Sequence, residues 1–291
     1  MNEKPVPVND TTDTSNPPAA TGSPAPLAGH SRPVTGQWSP VTGFYTLFRK
    51  EWLRFWKVSV QTVLAPVLTA LLFLVVFAYS LRGHAEVFPG VRYAEFLAPG
   101  LAMMSVLQNA FANSSSSLMQ SKMTGNIVFV LLPPFSYREF FLAYLLASIA
   151  RGLVVGVGVL AATMWFVDLR VVQPLWAIAF ALAGCGVMGA LGILAGLYSD
   201  KVDELSAFQN FVILPLTFLS GVFYSIHSLP PFWQKLSLFN PFFYMVDGFR
   251  YGFFGQADVS PGLSLAIVVA GFFALSFLNL RLIRLGYKLR H

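Results

Sequence analysis

Asp247 and Arg250 stand three residues apart near the end of an aromatic stretch. A carboxylate and a guanidinium at that spacing meet on one face if the stretch is helical. Arg151 is the one basic residue well inside a long apolar run. A central charge there costs roughly 2.5–3.5 kcal/mol on insertion scales, so Arg151 must face protein or snorkel to an interface. Ser105, Asn109, Asn113 and Ser117 recur every four residues along another apolar run, with Gln108 and Ser116 widening the stripe. Polar groups in lipid need partners, so the stripe either lines a wet path or bonds to a neighbouring helix, and Arg151 carries the same two readings. None of this is a catalytic constellation. No segment matches the phosphate-cradling G-x-x-x-x-G-K-[ST] loop or the H-E-x-x-H metal motif, and His30, His84, His227 and His291 are scattered. No Asp or Glu lies inside an apolar run, which disfavours a proton-driven carrier. The chain is expected to hold no cofactor or metal and to catalyse nothing by itself.

The elements that position these residues follow from composition. With 55% hydrophobic and 11% charged residues in 291, the chain reads as an all-α integral membrane protein. Continuous apolar runs predict six spans, at about 60–81, 96–118, 140–167, 175–198, 205–224 and 263–282. The net charge of +6 clusters at span ends, which argues for anionic headgroups rather than nucleic acid. Arg49, Lys50, Arg54, Lys57, Lys122, Arg138, Lys201, Arg281, Arg284, Lys288 and Arg290 fall on one side; only Arg82, Arg92, Arg170, Lys235 and Arg250 fall on the other. The positive-inside rule then places both termini in the cytoplasm. Residues 1–40, rich in Pro, Ser, Thr and Ala, read as a disordered cytoplasmic tail ahead of a membrane domain over 41–291. Ahead of the first span, Phe44, Tyr45, Phe48, Trp52, Phe55 and Trp56 gather on one side of a helix and the basic residues on the other, the pattern of an interfacial helix. The lone Cys185 excludes a disulfide framework, and the glycines of the third and fourth runs permit close helix approach.

The stretch 211–255 is the most distinctive. It starts as an apolar helix, but Gly221, Pro230, Pro231 and the Asn240-Pro241 step break the remainder into pieces too short to span. The pieces 232–239 and 242–254 are nevertheless too apolar for a solvated loop. They predict a re-entrant helical hairpin between spans five and six.

Leu219-Ser220-Gly221, Leu229-Pro230-Pro231, Asn240-Pro241 and Asp247-Gly248-Phe249-Arg250, in this order and spacing, resemble the signature region of type-2 ABC exporter permeases. The resemblance extends loosely from about Gly43 to the C-terminus. It implies a non-catalytic permease of the bacterial inner membrane, paired with a second permease copy as a dimer. A separate nucleotide-binding ATPase would carry ATP and Mg. Gly221, Pro230, Pro231, Asn240, Pro241, Asp247 and Arg250 would form an outer gate. The apolar run Ile127, Val128, Phe129, Val130, Leu131 and Leu132 would be the cytoplasmic coupling helix that docks on the ATPase, or else a helix resting on the inner leaflet. The family's acidic Gly-Thr-Leu-Glu pattern is replaced here by Thr124-Gly125-Asn126-Ile127. The cargo would be a drug-like amphiphile (multidrug export) or lipid. A lipid-linked polysaccharide or oligosaccharide is the alternative, which the run Phe96-Leu97-Ala98-Pro99-Gly100 resembles. A self-sufficient channel or carrier, or a scaffold without transport, are readings of another class.

Overall fold

A computed structural model describes residues 40–80, 86–126 and 136–286. The tail over 1–39 and the run 127–132 lie outside the described residues. Helix α1 (Pro40–Lys57) leads into α2 (Ser59–Ser80). A two-stranded hairpin, β1 (Glu86–Phe88) and β2 (Val91–Arg92), turns at Gly90, whose φ of 78° suits glycine; the sequence reading did not foresee it. Then come α3 (Tyr93–Met123), α4 (Tyr137–Met164) and α5 (Pro174–Tyr198). Local chemistry sets these starts. The Glu95 and Glu139 carboxylates accept from the Arg92 and Ser136 backbone N–H groups at 3.2 Å, and Pro174 opens α5.

Among the described residues, four helices are long and apolar enough to cross a membrane: α2 over Ser59–Phe77, α4, α5 and α10 (Pro261–Arg284). They match the first, third, fourth and sixth predicted spans. The second, α3, has 31 residues and a length of about 46 Å, ample for a bilayer, but its second half is polar. The fifth departs from expectation. Helix runs from Val202 only to Phe218, as α6 (Val202–Phe208), a π turn (Gln209–Ile213) and α7 (Leu214–Phe218). Pro215 has no N–H to offer the preceding turn. The ladder widens ahead of it, and the Leu214 N–H donates to the Gln209 carbonyl, five residues back. Gly221, at φ 77°, keeps the chain from continuing as helix to residue 224.

The 211–255 stretch closes as foreseen in two short helices, α8 (Pro231–Leu238) and α9 (Pro241–Phe254). Each opens with Pro at its first position, and Gly255 in the left-handed conformation ends the second.

Helix α3 is central, packed against α2, α4, α5 and α9. Its seam with α5 depends on small residues. The Ser114 hydroxyl donates to the Gly189 carbonyl at 2.8 Å, and a Cβ on Gly192 would sit 2.5 Å from the Phe111 carbonyl. Two buried polar clusters lie along α3, one towards each end.

Candidate functional site

The first cluster lies at the end of the bundle where α3 begins. Arg250 on α9 is 1% exposed, and its Nη2 donates to the Gly221 carbonyl at 2.9 Å and the Val222 carbonyl at 3.4 Å. Its guanidinium lies 3.7 Å from the centre of the Phe96 ring, a cation–π contact in a desolvated site. Gly100 makes room for this: a Cβ there would meet the Val222 carbonyl at 2.9 Å and Arg250 Nη2 at 3.0 Å. The Tyr93 hydroxyl donates to the Phe223 carbonyl at 2.9 Å. Asp247, fully buried, accepts from the backbone N–H groups of Asp258 at 2.9 Å and Val259 at 3.0 Å. Asp258 in turn accepts from the Ser225 hydroxyl at 2.5 Å and the Ile226 N–H at 2.9 Å. Asn240 caps α9 through the Phe242 N–H at 3.0 Å and donates to the Leu216 carbonyl at 2.7 Å.

The segment between the fifth helix and α8 is therefore held by side chains from α3, α9 and the loop after α9. The expected pairing of Asp247 with Arg250 does not occur: among the described residues no ion pair joins them. Backbone donors and carbonyls captured each of them separately. Pro230 stands at the N-cap of α8 and Pro231 opens it.

The second cluster lies toward the other end of α3. Glu51 on α1 is fully buried and accepts from the Ser117 hydroxyl at 2.7 Å. Lys50 Nζ and Arg54 Nε each lie 3.3 Å from its oxygens. Arg54 Nη2 donates to the Asn113 carbonyl at 2.9 Å and to Asn113 Oδ1 at 3.2 Å. Arg151 on α4 reaches the same Oδ1 at 3.5 Å and Asn109 Oδ1 at 3.3 Å, while Asn113 Nδ2 donates to the Ser148 hydroxyl at 3.4 Å. Of the polar stripe, Asn109, Asn113 and Ser117 are thus engaged between helices. Ser105 instead lines a groove of about 240 Å³ between α2 and α3, together with Thr69 and Gln108.

The aromatic side of α1 packs in part, with Phe44 and Phe48 against the core. Leu47, Glu51 and Phe55 are buried, whereas Tyr45 and Trp56 are more than half exposed. At the foot of α3, Lys122 Nζ donates to the Leu197 and Ser199 carbonyls at 2.8 Å, tying the end of α5 to α3.

The sequence model of the ABC-2 type transporter family matches residues 42–254, a stretch that contains Glu51, Arg151, Asp247 and Arg250. The chain belongs to the ABC-2 type transporter family. Among curated proteins, the inner membrane transport permease YadH of Escherichia coli strain K12 is 38% identical over 246 residues, covering 84% of this chain and 96% of that protein. Nodulation protein J of Rhizobium meliloti strain 1021 is 24% identical over 82% of this chain and 91% of its own length. The capsule polysaccharide export inner-membrane protein BexB of Haemophilus influenzae is 30% identical over 98 residues, 33% of this chain and 36% of its own. Membership in this transport family and the apolar helices together make the protein a bacterial inner-membrane permease.

Sequence reasoning missed Glu51 and Asp258, and noted Phe96 and Gly100 only as the ends of a family-like run. Glu51 sits among four cations in the sequence, and nothing in its spacing marks it as buried. Asp258 sits in a short loop with no periodicity, and nothing in the sequence marks it. The coupling run Ile127 to Leu132 remains outside the described residues.

Proposed function

We propose that this ABC-2 permease is the membrane-spanning subunit of an ATP-driven exporter, working with a second permease copy and a separate nucleotide-binding ATPase that holds ATP and Mg. Beyond the family, one observation carries the reading. Of the fifth helix, Val202–Phe218, only Leu205, Ile213 and Thr217 are buried. Ser206, Gln209 and Asn210 in its first half are exposed, and the two amides make no side-chain hydrogen bond among the described residues. Amides do not face hydrocarbon unpartnered. This helix is suited to cover from a second copy of the chain and a wet path between the two.

In this reading six spans cross the inner membrane, with α3 and the fifth helix as the two polar ones, and both termini are cytoplasmic. The segment from Gly221 through α9 is a re-entrant outer gate, held by Asp247 and Arg250. The run Ile127 to Leu132 docks on the ATPase, whose closure moves the permease pair. The cargo is a small amphiphile or lipid, supported by the mixed polar and apolar lining of the α2–α3 groove. Export of a polysaccharide or oligosaccharide by the same architecture is the second reading, supported by the partial likeness to BexB.

The test is ATP-dependent uptake of a fluorescent amphiphile into inside-out vesicles. The vesicles carry this chain with and without a candidate nucleotide-binding ATPase subunit. Uptake that requires both chains and ATP is expected. Flux through vesicles holding this chain alone, indifferent to ATP, would assign it to the channel or carrier class instead.

A further inference from the structure

We propose that Arg54 and Arg151 bind the phosphate of a membrane amphiphile whose apolar tail lies in the groove between α2 and α3. Two guanidiniums, one from the interfacial helix α1 and one from α4, converge on a single amide oxygen, Asn113 Oδ1, at 3.2 and 3.5 Å. With Lys50 they bring three cations to a cluster whose one carboxylate, among the described residues, is Glu51. Glu51 pairs with Lys50 and Arg54; among the described residues no carboxylate pairs with Arg151. Arg151 makes only amide contacts, and its Nε is buried without a hydrogen-bond partner. In water such an excess of positive charge would be screened. Between packed helices at membrane depth it is costly unless an anion completes it. A phosphate accepts from two planar guanidiniums at once, which a neutral amide oxygen does poorly.

The tail half of the site adjoins the head half. Asn109 Nδ2 donates to the Ser105 carbonyl at 3.0 Å, one turn along α3, and Ser105 lines the groove. The groove, about 240 Å³, is walled by Pro66, Phe73, Leu101 and Met104, with Thr69 and Gln108 as its other polar groups. Gln108 Nε2 is buried and unpartnered there. A largely apolar slot with a few polar groups, beside a cationic cluster, is complementary to a molecule with an anionic head and a hydrocarbon tail. The inference leans on the export reading only in making such a molecule a cargo class; the binding itself stands independently.

The experiment uses the purified full chain in a non-ionic detergent, without ATPase. Native mass spectrometry compares lysophosphatidic acid, lysophosphatidylcholine and inorganic phosphate as probes. Lysophosphatidic acid is expected to bind at least about tenfold more tightly than either, the range one charge-assisted contact sustains. Arg151→Gln should erase the preference over lysophosphatidylcholine, and Arg151→Lys should retain most of it. Thr69→Trp, which fills the groove from an exposed position, should weaken lysophosphatidic acid towards the level of inorganic phosphate. Equal affinity of the wild-type chain for the two lysolipids overturns the proposal without any variant. Full retention of the preference in a folded Arg151→Gln protein does the same. Inorganic phosphate competing at equal concentration would make it a free-anion site and remove the tail groove. Because no ATPase is present, failure here leaves the export reading intact, and failure of export leaves the binding result intact.

Discussion

Replacing Arg250 by Ala tests whether a single buried side chain holds the turn at Gly221. The change removes two hydrogen bonds, to the Gly221 and Val222 carbonyls, and the 3.7 Å stack on Phe96. A hydrogen bond from a charged group contributes about 1.5–3 kcal/mol, and a desolvated cation–π contact about 2 kcal/mol. The Val222 carbonyl is left in a buried residue with its donor gone. Allowing for relaxation, the expected loss is about 3–5 kcal/mol of unfolding free energy, the usual range for breaking a buried charged contact. Arg250→Lys keeps the charge but not the planar stack and should lose less. Unfolding by SDS titration in mixed micelles reads the loss, and protease cutting within 219–229 reads its location. Asp247→Asn serves as the companion, since an amide can accept only one of the two N–H bonds that the carboxylate now accepts. Because the two side chains anchor different turns, their coupling in a double-mutant cycle should be smaller than either single effect. Wild-type stability and cutting in Arg250→Ala would refute the argument, as would a coupling equal to the whole of either single loss.

Other outcomes follow from the remaining geometry. Gly192→Leu should destabilise by about 1–3 kcal/mol in the same titration, because the added side chain meets the Phe111 carbonyl across the α3–α5 seam. Asn210→Cys in a Cys185→Ala background should form a disulfide-linked dimer on mild oxidation in membranes; its absence under conditions that modify the thiol would count against the two-copy arrangement. Phe129→Asp and Leu131→Asp should insert normally yet lose ATPase co-purification and stimulated turnover, because a desolvated docking groove tolerates a charge poorly. Unchanged values for both would favour a helix resting on the leaflet. Cysteines at Ser31 and Ser260 in the same background should label from opposite faces, and labelling of both from outside intact cells would reverse the topology.

What was legible in the sequence was whatever depends on local backbone chemistry. Asn240-Pro241 marks the start of α9 and Gly255 its end, because capping and φ constraints act within a few residues. Pro230-Pro231 fixes the start of α8 in the same way. The four apolar spans are equally plain, since length and hydropathy carry them. What escaped depends on distant partners. The spacing of Asp247 and Arg250 fits a pair, yet Asp247 is occupied by N–H groups 11 and 12 residues onward and Arg250 by a carbonyl 29 residues back. Glu51 became a core residue only because Ser117, 66 residues away, and two neighbouring cations surround it. Pro215 was within reach of local reasoning, but a continuous apolar run masked the widened turn it imposes.

Helix α3 touches both clusters, Phe96 and Gly100 near one end and Asn113 and Ser117 toward the other, within 31 unbroken helical residues. It is therefore a lever. Pivoting about one end, a rod of about 46 Å moves its far tip by about 4 Å for a tilt of only about 5°. A displacement of α1 against Asn113 and Ser117 too small to break any of its contacts would arrive at the Gly221–Val222 turn as a shift wider than a hydrogen bond is long. The Arg250 bonds there would have to give way or travel along.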